Sequence, residues 1–559
     1  MTEQEHVVSL MRNTASVVGQ QQLGEATSQI QYDSKGHALV IGEVEGALQY
    51  ASALKANGMT IVHIDPQINH MKKRLTDDGV AVFTVPELSL SGYLGAYKAV
   101  VPAQGASDTD FDLGVSVFLE TGCFDVVLDL SQQPVIPVFL PPFGYKHAAT
   151  EEQAQLAVQE LVQLEGEFEK PRYFNYNQSI CAHSRSKISG CTSCIDVCAA
   201  GAITSNGEGV SVDPFLCQGC GSCSTVCPSG AMSYAYPRPA NAIERTRTKL
   251  LDRSNACVVL LYSEAQAELI EAASLDTDIL TLEVEEVSAF GADYWLSMLA
   301  GKACRIVLLS DARKDDPSRL AMTGQIALLN ELLLGLGVDE ETVAIVDSNA
   351  FTDGGVLPGS ALDPVTWQSS VLNSLQPADF ATHNDKRQTL RLALDALSEQ
   401  LTPVNAVASL NSGAPFGRVN VDKQACTLCM SCVSSCPAKA LLDGQDTPAL
   451  RFVEANCLQC GLCEAACPES AITLEPQYTW DSISARQINT LHDQEPFHCL
   501  VCHTPFTTRA MIDAMSAKLS GHWMFEDPKA IRRLKLCGDC RVKDIFKDNQ
   551  EGINVHQNT

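Results

Sequence analysis

The chain has 559 residues, 45% of them hydrophobic and 19% charged, with a formal net charge of −28. That length exceeds what one hydrophobic core organises, so several folded domains are expected. So acidic a surface argues against nucleic acid as a partner and disfavours anionic lipid, since both call for basic patches.

Residues 1–18 carry Glu3 and Glu5 where a secretory signal has Lys or Arg, and they lack a sustained apolar core. No stretch approaches the roughly 18 uninterrupted apolar residues of a spanning helix. The best, Ile326 to Val338, is broken by Asn330 and Glu331. A cytoplasmic protein is expected. The 23 cysteines are far above ordinary usage. At short spacings in a large chain of a reducing compartment, they read as metal ligands rather than disulfides.

Residues 1–165 read as a degenerate Rossmann-like α/β domain. Strand Ala38–Ile41, helix Ala47–Ala56 and strand Thr60–Ile64 end on Asp65, the order of a dinucleotide-binding βαβ unit. Its glycine fingerprint is broken: Gly42 is followed by Val44 and Ala47, with Gly46 out of register. Without the second glycine the backbone cannot approach a pyrophosphate, so flavin or nicotinamide is not expected. A strand over 125–130 runs into Pro134–Pro142, which reads as a boundary loop.

Residues 170–240 form the first cysteine module. The run C-x2-C-x2-C-x3-C-P places three thiolates around one [4Fe–4S] cluster, and its fourth cysteine reaches the other cluster of the pair. It is intact at Cys217, Cys220, Cys223, Cys227 and Pro228. An altered copy runs through Cys191, Cys194 and Cys198, with Ile188 where its first cysteine falls and Ala199 replacing the proline. Tyr176-Asn177 stands before Cys181 as Val212-Asp213 stands before Cys217. Cys181 is therefore the expected first ligand, followed by an insertion from Ala182 to Gly190. The rivals are His183 or a cluster one cysteine short. The first cluster is expected on Cys181, Cys191, Cys194 and Cys227, the second on Cys198, Cys217, Cys220 and Cys223.

Residues 250–375 alternate strand and helix again: Cys257–Tyr262, Ile279–Val284, Ile306–Leu309, helix Ala327–Leu336 and strand Thr342–Val346. This is a second, mainly parallel α/β domain. Residues 376–410 read as a helical linker, with an amphipathic helix over Ala378–Leu401.

Residues 411–480 repeat the module with two intact runs, Cys426-Cys429-Cys432-Cys436-Pro437 and Cys457-Cys460-Cys463-Cys467-Pro468. The third cluster is expected on Cys426, Cys429, Cys432 and Cys467, the fourth on Cys436, Cys457, Cys460 and Cys463. Strand-like pairs flank the cysteines of every copy: Ala202-Ile203, Ala231-Met232, Ala440-Leu441 and Ala471-Ile472 follow, and Val421-Asp422 and Val453-Glu454 precede. With sixteen cysteine ligands no iron is left open, which favours electron transfer over chemistry at a cluster.

Residues 490–559 carry Cys499-x2-Cys502 and Cys537-x2-Cys540, paired knuckles typical of a closed tetrahedral Zn²⁺ site. The spacing calls for a helix near Thr508–Leu519 inside the loop. His498 and His503 are alternative ligands, and an iron centre is the rival to zinc. Arg532, Arg533, Lys535, Arg541 and Lys543 make this tail locally basic, a solvated face or a dock for an acidic partner. Cys123, Cys257 and Cys304 remain, each beside an apolar run, and read as buried core thiols.

Three resemblances follow. VEEVSAFGADYWLSMLAGKACRIVLL with ALLNELLLGLGV is similar to the delta subunit of methyl-viologen-reducing hydrogenases. That family has cysteines for a [2Fe–2S] centre where this chain has Tyr262-Ser263-Glu264 and Ser310-Asp311. GYLGAYK and the following module are similar to the flavin-binding polypeptide of heterodisulfide reductases. The chain as a whole, above all EFEKPRYFNYNQSICAHSRSKISGC, resembles large cytoplasmic 4Fe–4S proteins encoded beside bacterial formate dehydrogenases. The resemblance implies electron transfer with a formate dehydrogenase. Alternatives are an accessory role in maturing a molybdenum or tungsten formate dehydrogenase, and a flavin-dependent oxidoreductase subunit.

Overall fold

Ala38–Ile41 and Val126–Asp129 are buried at every residue, as strands covered on both faces must be. The computed structural model, which describes residues 28–556 apart from 55–56, 104–108, 118, 186, 353–354, 357–360, 363–369, 382, 384, 446, 520, 523–524 and 526, places them side by side in a six-stranded sheet. The order is Tyr145–His147, Val126–Asp129, Ala38–Ile41, Met59–Ile64 and Ala81–Val85, all parallel, with Lys72–Leu75 antiparallel at the edge. The leader stretch 1–18 lies outside the described residues. The helix expected over 47–56 is instead two short pieces, Val44–Leu48 and Ala51–Leu54.

The Pro-rich stretch 134–142 is not a boundary. It leads into Tyr145–His147, which joins the same sheet, and the capped helix Glu151–Leu161 packs behind it. Asp129, fully buried, holds this turn by accepting from the Val135 amide at 2.7 Å and the Ser131 amide at 3.0 Å.

The second α/β domain is a four-stranded parallel sheet ordered Ile279–Glu283, Cys257–Tyr262, Ala303–Leu309, Val343–Val346. Helix Pro317–Gly335 begins well before the expected start at Ala327. Helix Ala292–Ala300 is buried at every residue, so it shows no helical periodicity to read. The expected linker helix runs Lys386–Gln400, begun by an Asp385 cap on Gln388 at 2.9 Å. It is no linker: Leu390, Ala393, Leu394 and Leu397 are buried against Ala292–Ala300 in this domain's core. Cys257 and Cys304 are buried there as expected, whereas Cys123 is only half-buried.

Each cysteine module is a pair of small antiparallel ladders. The first pairs Phe174–Tyr176 with Met232–Tyr234 and Ile203–Ser205 with Val210–Val212. The second pairs Gly417–Val421 with Ile472–Thr479 and Leu441–Asp443 with Ala449–Phe452. These are the flanking strands read from the repeat. In the tail, hairpin Pro496–His498/Pro505–Thr508 is followed by helices Arg509–Leu519, Pro528–Leu534 and Gly538–His556. Among the described residues, no helix is long and apolar enough to cross a membrane.

Candidate metal centres

The cysteine loops depend on left-handed backbone. The residues just before the second cysteine and just after it are left-handed in all three intact runs: Gly219 and Gly221, Leu428 and Met430, Gln459 and Gly461. Non-glycine residues hold that conformation only when the loop demands it. This winding turns amides inward. The thiols of Cys217, Cys426 and Cys457 receive backbone N–H groups from Gly219, Leu428 and Gln459.

A second repeat follows each fourth cysteine. Gly201, Gly230, Lys439 and Ser470, each three residues on, are all left-handed. The chain then returns an amide to the thiol: Ala202 to Cys198 at 3.2 Å, Met232 to Cys227 at 3.4 Å, Ala440 to Cys436 and Ala471 to Cys467 at 3.3 Å. Ala199 in place of proline therefore does not alter this turn. Amides aimed at sulfur stabilise the thiolate and are a main determinant of cluster potential.

The structure brings sixteen cysteines together in four sets, and the fourth cysteine of each run lies with the partner run. Cys194 is surrounded by the charges of Cys227, Cys191 and Cys181, and Cys223 by those of Cys220, Cys217 and Cys198. Cys432 is surrounded by Cys429, Cys426 and Cys467, and Cys463 by Cys457, Cys460 and Cys436. Two cavities of the second module repeat this division. One is lined by Cys426, Cys429, Cys432 and Cys467, the other by Cys436, Cys457, Cys460 and Cys463. Burial first, and the neighbouring thiols second, push Cys194 and Cys432 up to about 12. Four crowded, desolvated sulfurs favour thiolates only around a cationic group, so the cradles fit an iron–sulfur cluster.

Cys181 belongs to the first set. Its amide bonds to Gln178 at 3.1 Å, as that of Cys217 bonds to Asp213 at 3.1 Å and that of Cys457 to Glu454 at 3.0 Å. The insertion closes on itself through a short ladder, Ser184–Arg185 with Ile188–Ser189, and the Cys191 amide returns to Ala182 at 2.9 Å. Cys181 and Cys191 are thereby neighbours despite their separation in sequence. Both nitrogens of His183 are occupied, Nδ1 by the Cys191 carbonyl at 2.9 Å and Nε2 by the Ser205 hydroxyl at 2.8 Å.

The sulfurs of Cys499, Cys502, Cys537 and Cys540 lie within 4.8 Å of one another, with Cys502 and Cys537 3.6 Å apart. A tetrahedral ion at about 2.3 Å from each sulfur sets them about 3.8 Å apart. The site thus fits a single ion. The first knuckle sits on the hairpin and the second at the start of the last helix, and Arg509–Leu519 fills the loop as anticipated. Neither His498 nor His503 joins the set. For Cys499, desolvation favours the thiol, but amides from Cys502, Cys537 and Val501 outweigh it and draw it down to about 6. The basic residues are largely consumed locally: Arg533 pairs with Asp544 at 2.9 Å and Arg532 with the same carboxylate at 3.1 Å.

Sequence reasoning missed Arg387. Its guanidinium donates to the carbonyls of Cys457 at 2.9 Å and Pro415 at 2.8 Å. No cysteine spacing signals it, because the contact is made through backbone oxygen far along the chain.

No curated protein matches the chain. A family model described as 4Fe-4S dicluster domain matches residues 425–472, and another of the same description matches residues 189–231, beginning after Cys181. With the cysteine sets just described, these two matches mark the chain as an iron–sulfur protein of electron transport, built around two ferredoxin-type 4Fe–4S dicluster domains.

Proposed function

We propose that this protein carries four [4Fe–4S] clusters, on the four cysteine sets given above, and transfers electrons between protein redox partners. The observation that supports it most is the exchange of the fourth cysteine in both modules: Cys227 sits with Cys191 and Cys194, and Cys467 with Cys426 and Cys432. Such clusters supply one-electron redox chemistry, and all-cysteine ligation leaves them closed to substrate. The protein's part is to bury the sulfurs, direct amides at them and present α/β domains as docking faces.

The tail quartet is assigned to one structural Zn²⁺, whose four thiolates close the ion off. The donor or acceptor is proposed to be a formate dehydrogenase, on the resemblance of the 167–191 segment. The test is anaerobic iron and sulfide analysis, with about 16 of each expected per chain. Saturation near half that iron would remove one module from the assignment. Mixing with reduced formate dehydrogenase should bleach the visible absorbance, and bleaching by formate with no enzyme present would overturn the carrier role.

A further inference from the structure

The two modules meet, and they meet at cysteine loops. An added Cβ on Gly190 would lie 2.8 Å from Cγ of Leu462, so the residue before Cys191 packs directly on the loop that carries Cys460 and Cys463. The short helix Leu462–Ala465 rests on strand Ile188–Ser189. Cys191, Cys227 and Cys460 line one cleft of about 540 Å³ between the modules. Cys191 is accordingly among the charges felt by Cys460.

The same neighbour relations order all four sets. Within the first module Cys194 reaches Cys223, and within the second Cys432 reaches Cys463. The set of Cys191 and the set of Cys460 are therefore inner. The sets of Cys217 and Cys426 are outer.

The junction has its own fastener. Lys386 and Arg387 open the helix whose apolar face is buried in the second α/β domain. Lys386 Nζ donates to the carbonyls of Ser224, at 2.9 Å, and Thr225, beside Cys227. Arg387 reaches Pro228 of the first module at 3.5 Å, and Pro415, Ala455 and Cys457 of the second at 2.8, 3.2 and 2.9 Å. Its guanidinium also lies 4.9 Å from the Phe416 ring centre. Five N–H donors in a rigid fork suit this task, and a flexible ammonium does not.

Building on the four-cluster reading, we propose that the two dicluster modules form one unit, a single row of four metal sites joined at the Cys191–Cys460 contact. Arg387 is the positioning residue that fixes the junction by binding backbone carbonyls of both modules.

The test uses the full chain loaded anaerobically with iron and sulfide. Metal content judges the four-cluster reading by itself, and about 16 iron supports it. Pulsed dipolar EPR of the reduced protein then judges the row. A row gives three couplings between neighbours, whereas two unconnected modules give one each. Removing an outer site by Cys217→Ser with Cys220→Ser, or by Cys426→Ser with Cys429→Ser, should leave the inner centre of that module still coupled to a neighbour. An inner centre that becomes magnetically isolated overturns the junction while leaving the metal content intact. Should a variant lose both centres of its module, the coupling pattern of the unsubstituted protein decides. Arg387→Gln should abolish or weaken the junction coupling alone, and Arg387→Lys should restore it in part. Three unchanged couplings in Arg387→Gln would overturn its positioning role.

Discussion

The imidazole Nδ1 of His183 lies 2.9 Å from the carbonyl oxygen of Cys191, and so the histidine braces the enlarged first loop rather than facing the sulfurs. With Nε2 held by Ser205 as well, both ring nitrogens are committed. His183→Gln should keep the full iron content, of about 16 per chain, and lower only the thermal stability. Cys181→Ser should lose or convert about four iron and change the EPR of one centre in the first module. Iron loss in His183→Gln with none in Cys181→Ser would exchange their roles.

The tail quartet gives a prediction about metal removal. Among the described residues after 495, Cys499, Ile512, Leu534, Leu536 and Thr508 are buried, a small core for a folded unit. A structural zinc is worth about 10 kcal/mol or more to such a unit. Stripping it with a chelator under anaerobic, neutral conditions should raise hydrogen exchange across Arg509–Leu519 and leave cluster absorbance unchanged. Cys499→Ser should do the same. One zinc per chain is expected, and an additional iron in its place would reassign the site.

Much of this architecture is legible because cluster chemistry constrains spacing. The four flanking strands and the offset of Cys181 follow from one repeated unit, and its residues pair as the repeat implies. What the sequence conceals is contact between units. The stripe Leu390, Ala393, Leu394 and Leu397 announces a buried face without saying what covers it, so a core helix reads as a linker. Ala292–Ala300, buried all round, has no polar face to mark it as a helix. The proline run 134–142 looks like a boundary because prolines end strands, yet a buried aspartate folds it back into the sheet.

Leu394→Ala separates the two readings of that helix. A solvated linker would lose little. A fully buried leucine in a core should cost about 2–5 kcal/mol. The expected result is a clear drop in the midpoint of thermal unfolding, followed by near-ultraviolet circular dichroism, with the iron content of the folded protein unchanged.

Glu285 supplies a pH dependence. Burial first, and then the like charges of Glu264 and Glu283, raise its carboxyl to about 7. The unfolded chain holds this group near the usual carboxylate value, so between about pH 4.3 and 7 the folded state binds the extra proton. Stability from this group is therefore full at the acidic end and declines as pH rises towards 7. Above that, folding confines a charge that unfolding would release to water, at a cost of roughly 2 kcal/mol. Glu285→Gln should raise the unfolding midpoint at pH 8, with little change at pH 6, and flatten the slope between them. The carboxylate lies near Tyr173 and Tyr234, whose hydroxyls it influences, at the seam between the first module and the second α/β domain. A variant whose stability still falls from pH 6 to pH 8 as in the native protein would show that another group sets the dependence.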